Sequence, residues 1–141
     1  MNQVVVDASM ALAWCFPDET SDYADAVLVA LEGHTMLVPS IWSLEIAKAV
    51  LVGERRQRLN QPEIRQFTTV LESLSLVQDT RAVAKHVNDV LPLARTHGLS
   101  AYDAAYLELS IRQSAPLATL DEKLQQAAKQ AGIKIFRGEA A

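Results

Sequence analysis

The sequence predicts an α/β sandwich built on a mostly parallel sheet. Short apolar runs, some of them rich in β-branched residues, alternate along the chain with longer amphipathic stretches, which is the pattern of strands alternating with helices. Parallel strands require crossover connections, and helices usually supply them. The predicted strands are residues 4–6, 35–38, 76–77, 117–120 and 133–136.

The predicted helices are bounded by prolines, glycines and capping residues. The first three are residues 8–16, ended by Pro17; a helix capped by Thr20 or Ser21 that runs to residue 30 or 31 before Gly33; and 41–55, opened by Ser40. The next two are 63–74, with Pro62 at its start, and 80–97, interrupted by Pro92 and ended by Gly98. The last two run from Ser100 to about residue 113, and from a cap at Asp121 to residue 131 before Gly132.

The composition predicts one ordinary globular domain over residues 1–141. Half of the residues are hydrophobic and 21% are charged, a balance that disordered and fibrous chains do not have. The N-terminal apolar run meets Asp7 after three valines, and no uncharged apolar stretch approaches the roughly 18 to 20 residues that span a bilayer. We therefore expect a cytoplasmic protein with no membrane partner. The single cysteine, Cys15, excludes an internal disulfide and a thiolate-rich zinc site.

Two aspartates fall where a predicted strand gives way to a helix. Asp7 follows the first strand and Asp121 follows the run at 117–120, and in parallel sheets binding sites form at such carboxyl ends. Each has a simpler interpretation as the N-cap of the following helix. Asp103, three residues after Ser100, likewise matches a capping-box variant.

Glu45 is harder to explain by capping. On a helical wheel it lies between Ile41 and Ala49, on the apolar stripe of its helix. A lone carboxylate buried there is costly unless a cation compensates it or its pKa rises. The sequence offers two cations, a bound metal or an ion pair with Lys48.

Taken together, these carboxylates favour a site for a hard metal ion. Oxygen-only ligands suit Mg²⁺ or Mn²⁺ better than zinc, and one or two such ions can activate water and stabilise the charges of phosphodiester hydrolysis. Ser9 and Thr119 lie two residues from Asp7 and Asp121, within reach of a carboxylate or a bound water. Local backbone capping is the alternative role for both hydroxyls.

Four segments of the chain resemble the PIN-domain ribonucleases of the VapC toxin type. They are residues 4–14 (VVVDASMALAW), 39–45 (PSIWSLE), 99–106 (LSAYDAAY) and 117–121 (LATLD). The resemblance implies a three-layer α/β/α fold, Mg²⁺- or Mn²⁺-dependent endoribonuclease activity, a homodimer, and inhibition by a small antitoxin. It also implies that the catalytic and metal-binding quartet is Asp7, Glu45, Asp103 and Asp121, supported by Ser9 and Thr119.

The chain departs from this family's pattern at Lys48, where relatives often have asparagine. A cation beside the acidic residues weakens metal binding by repulsion, contacts substrate phosphate, or points away from the site. The first of these leads to the alternative interpretation, a catalytically impaired PIN-like scaffold with Lys48 in the acidic site.

The net charge of −4 at first argues against a nucleic-acid partner, since phosphate binding normally requires a basic surface. Neutralising the quartet leaves 13 acidic residues against 13 Lys and Arg. Arg55, Arg56 and Arg58 cluster after the Glu45 helix and, with Lys48, are the predicted RNA contacts. The alternative for each arginine is a solvated helix end whose cations complement the helix dipole.

Overall fold

A four-stranded parallel sheet forms the centre of the fold. In the computed structural model, which describes residues 2–138, the strands are β1 (Asn2–Val6), β2 (His34–Val38), β3 (Leu76–Gln78) and β4 (Leu117–Ala118). They lie in the order β3-β2-β1-β4, and each neighbouring pair is parallel. The predicted α/β class and parallel sheet are confirmed. The predicted single domain over residues 1–141 extends to Met1 and 139–141, which lie outside the described residues.

Helices cover both faces of this sheet. Those within residues 2–138 are α1 (Ala8–Cys15), α2 (Asp22–Ala30), α3 (Trp42–Arg55), α4 (Gln61–Ser73), α5 (Val83–His97), α6 (Ala101–Gln113) and α7 (Glu122–Gln130). Helix α1 packs against α2, α3 and α4, whereas α6 packs against α5, α7 and the two strands β1 and β4. Val4, Val5 and Val6 are all fully buried. Because successive side chains of a strand point to opposite faces, both faces of β1 are covered and the fold has three layers.

The predicted capping residues begin and end most helices as expected. The Ser21 hydroxyl accepts a hydrogen bond from the Ala24 amide, and Gly98 ends α5 in the left-handed conformation, at φ 62°. Asn60 and Glu63 form a reciprocal capping box at the start of α4, which therefore begins at Gln61, one residue before the predicted first position, Pro62. None of the helices within residues 2–138 is long and apolar enough to cross a membrane.

The predictions for Pro92 and for the last strand were wrong. Helix α5 continues through Pro92 without interruption, because Pro92 and Asn88 are both exposed and the carbonyl left without its amide donor can be hydrated. The predicted strand at 133–136 is reduced to a single bridge between Ile135 and Leu117. Since β4 has only two residues, it offers little length for a further strand to pair with.

Candidate metal centre

The four acidic residues singled out from the sequence line one cavity. It has a volume of about 590 Å³ and lies where β1 and β4 end and the following helices begin. Asp7, Glu45, Asp103 and Asp121 contribute its carboxylates, and Ser9, Lys48 and Arg58 also line it. The topology thus brings together groups that are separated by more than a hundred residues in sequence.

Asp7 is the most buried of the four, with 4% of its surface exposed. It caps α1, as its simpler interpretation predicts, because Oδ1 accepts the Met10 amide at 3.0 Å. The same oxygen accepts the Ser9 hydroxyl at 2.8 Å, and Oδ2 accepts the Thr119 hydroxyl at 2.5 Å. Burial raises the pKa of Asp7 to about 6, although these three hydrogen bonds oppose the shift. Capping and a place in the acidic cavity are therefore compatible.

The segment after β4 is folded around the hydroxyls of Ser9 and Thr119. The Leu120 amide donates to the Ser9 hydroxyl at 3.2 Å, and the Asp121 amide donates to the Thr119 hydroxyl at 3.0 Å. These bonds turn the chain out of the strand, which is why β4 ends at Ala118 and not at the predicted residue 120. Both hydroxyls donate their single proton to Asp7, so they fix the orientation of its carboxylate.

Asp121 and Asp103 lie at the starts of α7 and α6. Asp121 caps α7 by accepting the Leu124 amide on Oδ1 at 3.0 Å, and within residues 2–138 its Oδ2 accepts no hydrogen bond. The Asp103 amide donates to the Ser100 hydroxyl at 3.1 Å, but the reciprocal bond of a capping box is not formed among the described residues. Burial and the negative charge of Asp121 raise the pKa of Asp103. Both carboxylates are thus left with oxygens available to the cavity.

Glu45 is half-buried on α3, and its partner is a tyrosine that the sequence reasoning missed. The hydroxyl of Tyr106 donates to its Oε1 at 2.6 Å. Burial raises the pKa of Glu45, the Tyr106 hydrogen bond lowers it, and the charge of Asp103 raises it again. Tyr106 lies one helical turn after Asp103, and this spacing places both residues on one face of α6. The same spacing in the sequence could have identified Tyr106 as a neighbour of the site.

Lys48 does not neutralise Glu45 by contact. It is exposed, lines the same cavity and slightly lowers the pKa of Glu45, but no ion pair joins the two residues within the described part of the chain. Of the two cations that the sequence offered for Glu45, the lysine is therefore present only as a nearby charge.

The predicted arginine cluster divides into two kinds of site. The guanidinium of Arg58 pairs with Asp18 at 3.0 Å and Glu19 at 2.8 Å, and it lies 4.2 Å from the centre of the Phe16 ring at the cavity wall. Arg55 and Arg56, at the end of α3, are exposed and are not among the residues that line the cavity. Among residues 2–138, Arg55 and Arg56 therefore have no acidic partner in a salt bridge, whereas Arg58 has two.

The donor set fits a hydrated divalent cation better than a tightly caged one. Among residues 2–138, no three His, Cys, Asp or Glu side chains are grouped closely enough to enclose a metal ion directly. Mg²⁺ usually keeps several waters and takes only one or two carboxylates, so a cavity with four separated carboxylates can hold it partly through water. Burial and mutual repulsion raise the pKa values of Asp7, Glu45 and Asp103, and a cation would relieve both effects.

The chain matches known proteins over most of its length. A family model of the PIN domain matches residues 4–130. Ribonuclease VapC3 of Pyrobaculum aerophilum is 32% identical over 125 residues, which cover 88% of this chain and 93% of that protein. The crystal structure of PAE2754 from Pyrobaculum aerophilum is similar with a TM-score of 0.66 and 24% identity, covering 89% of this chain and 79% of that chain. The crystal structure of VapBC2 from Rickettsia felis, bound to a DNA fragment from their promoter, also has a TM-score of 0.66, at 14% identity over 95% and 97% of the two chains.

Proposed function

Because this chain belongs to the PIN-domain family, we propose that it is a metal-dependent endoribonuclease acting as the toxin of a toxin–antitoxin pair. The observation that carries the proposal is the convergence of Asp7, Glu45, Asp103 and Asp121 on one cavity. The relative at 32% identity is by name a ribonuclease, which supports RNA as the substrate class.

We further propose that these four carboxylates hold one or two Mg²⁺ or Mn²⁺ ions. Such an ion, when bound, lowers the pKa of a water for attack on phosphorus and stabilises the charge on the departing oxygen. The residues of the chain supply orientation. Ser9 and Thr119 fix both oxygens of Asp7, and Leu12 and Val52 form an apolar part of the cavity wall.

Lys48, Arg55, Arg56 and Arg58 are the proposed contacts to RNA phosphates. Their charges lie beside the cavity or at the end of the helix that carries Glu45, where they offset the acidic site for an anionic substrate. We propose that the protein acts in the cytoplasm, where RNA substrates are present. A small antitoxin protein and a second copy of the chain, as a homodimer, are the proposed protein partners; the similarity to a VapBC structure supports the first of these.

A direct test incubates the purified chain with structured and unstructured RNAs, with Mg²⁺ or Mn²⁺ and with chelator. Asp7→Asn and Asp103→Asn are the test variants, and the amide oxygen of an asparagine can still cap α1. Asp25→Asn is the matched control, because Asp25 is exposed and lies outside the cavity. We expect metal-dependent cleavage that each test variant reduces by roughly 100-fold or more, exceeding the usual loss for outer-shell partners of a metal.

Cleavage that survives chelation and both test substitutions would overturn the proposed mechanism. If no RNA is cleaved, Mn²⁺ titration by calorimetry distinguishes the remaining cases. Binding of Mn²⁺ leaves the nuclease with a substrate still to be found, whereas no binding favours the impaired scaffold with Lys48 in the acidic site.

A further inference from the structure

Glu45 differs from the other three carboxylates in how it is held. Asp7 and Asp121 accept backbone amides as helix caps, and Asp103 lies beside the Ser100 hydroxyl. Glu45 has a longer side chain with more rotatable bonds, and within residues 2–138 its carboxylate accepts one hydrogen bond, from Tyr106. A half-buried glutamate at a cavity can adopt several rotamers. A hydrogen-bond donor in a fixed position, such as the Tyr106 hydroxyl, favours one of them.

Tyr106 is itself fixed on every side. It is 1% exposed and lies on α6, one turn after Asp103. The backbone amide of Ala8, the residue after Asp7, lies near its phenolic oxygen. A tyrosine hydroxyl has one proton, and Tyr106 donates it to Glu45. The hydroxyl therefore connects α6, which carries Asp103, to Glu45 on α3, close to the segment that carries Asp7.

Packing alone does not account for this hydroxyl. A phenylalanine would fill the same core volume, and the half-buried Glu45 carboxylate could then be hydrated from the cavity. The hydroxyl instead fixes the orientation of the Glu45 carboxylate. From this geometry we infer that Tyr106 is a positioning residue that holds the Glu45 carboxylate toward the other acidic residues for metal binding. The inference rests on the proposed function, since it assigns Glu45 a metal to bind.

The test is Tyr106→Phe, with Mn²⁺ affinity measured by calorimetry and cleavage measured separately. We expect Mn²⁺ affinity to fall by about 10- to 100-fold, as for other partners that orient a metal ligand. We also expect kcat to fall while KM for RNA changes little, because Tyr106 is too buried to touch substrate. Tyr23→Phe is the matched control: its hydroxyl donates at 2.5 Å to the Phe136 carbonyl, outside the cavity, and its loss should leave Mn²⁺ affinity unchanged.

A double-mutant cycle separates positioning from a merely structural role. If Tyr106 acts through Glu45, Tyr106→Phe adds no further loss of Mn²⁺ affinity to a Glu45→Gln chain. Additive losses would overturn the inference, and so would wild-type affinity in Tyr106→Phe. Should Tyr106→Phe fail to fold, Glu45→Asp withdraws the carboxylate from the hydroxyl by one methylene, and full Mn²⁺ affinity in that variant would overturn it equally. A wild-type chain that binds no Mn²⁺ and cleaves no RNA instead overturns the proposed function, and the role of Tyr106 with it.

Discussion

The Thr119 hydroxyl donates a 2.5 Å hydrogen bond to Oδ2 of Asp7, joining two residues that are 112 positions apart. The same hydroxyl oxygen accepts the backbone amide of Asp121 at 3.0 Å. The Thr119 side chain thus fixes the orientation of the Asp7 carboxylate, the most buried of the four, and the start of the segment that carries Asp121. Thr119 is fully buried, so its role is to orient these groups and not to contact RNA.

Replacing Thr119 with valine should therefore weaken metal binding. The substitution keeps the shape of the side chain but leaves Oδ2 of the buried Asp7 without its donor, and we expect about 10- to 100-fold lower Mn²⁺ affinity by calorimetry. The free energy of unfolding should fall by roughly 1 to 3 kcal/mol, the cost of an unsatisfied buried polar group. Thr119→Ser is the control, because it keeps the hydroxyl and should keep near-normal Mn²⁺ affinity. Equal loss of affinity in both variants would contradict this account.

The raised pKa of Asp7 predicts how the stability of the metal-free protein depends on pH. The folded state holds the proton up to a pKa of about 6, against an ordinary value of 3.8. The stabilisation is therefore fully present below about pH 4 and is lost as the pH rises through about 6. At most about 3 kcal/mol is involved, from the size of the shift. Urea unfolding in chelator across this pH range should show the loss of stability in the wild type and not in Asp7→Asn. Identical pH profiles of the two proteins would refute the role of Asp7.

Bound Mn²⁺ should reverse that pH dependence. The ion takes the ionised carboxylate and competes with the proton on Asp7. Mn²⁺ affinity is therefore expected to rise as the pH is raised from below to above the pKa of about 6, as measured by calorimetry. An affinity that is constant across this interval would mean that Asp7 does not bind the ion.

The arginines should contribute unequally to RNA binding. The charge of Arg58 is already paired with Asp18 and Glu19, whereas Arg55 and Arg56 are exposed and have no such partner in the described part of the chain. In an Asp7→Asn background, the double change Arg55→Gln with Arg56→Gln should lower RNA affinity and reduce the salt slope by about 0.7 per lost phosphate contact. Fluorescence anisotropy over a range of salt concentrations measures both quantities. A larger effect of Arg58→Gln would contradict the prediction.

Gly53 is a site where a small change should disturb the cavity wall. A Cβ added there would lie 2.6 and 2.7 Å from two carbons of the Phe16 ring, over which Arg58 is placed. Overpacking of this kind costs about 1 to 3 kcal/mol, more than the roughly 1 kcal/mol that alanine gains over glycine in a helix. We therefore expect Gly53→Ala to lower the unfolding temperature. Adding Phe16→Leu should restore part of the loss, and a Gly53→Ala chain as stable as the wild type would refute the contact.

The local features of the fold were predictable because they depend on neighbouring residues. The run of valines at 4–6, the Ser21 and Ser100 caps and the Gly98 stop depend on residues close in sequence, and the structure shows each of them. The four carboxylates were singled out through four family-like segments that follow one another in order along the chain.

The features that were missed depend on contacts between distant segments. The bond between Tyr106 and Glu45 requires knowing how α3 and α6 approach each other across 61 positions. The early end of β4 depends on Ser9, more than a hundred residues away. Pro92 was predicted to interrupt α5 because a rule about proline in helices was applied without knowing that this side of the helix is exposed.

The order of the strands also governs when the centre is assembled during synthesis. Strand β1 is made first and β4 last, yet the two pair side by side. A nascent chain that has reached only residue 113 lacks Thr119 to hold Asp7, and it lacks Asp121 altogether. Since translation proceeds from the N-terminus, the proposed metal centre cannot be complete on the ribosome until the residues through Asp121 have been made.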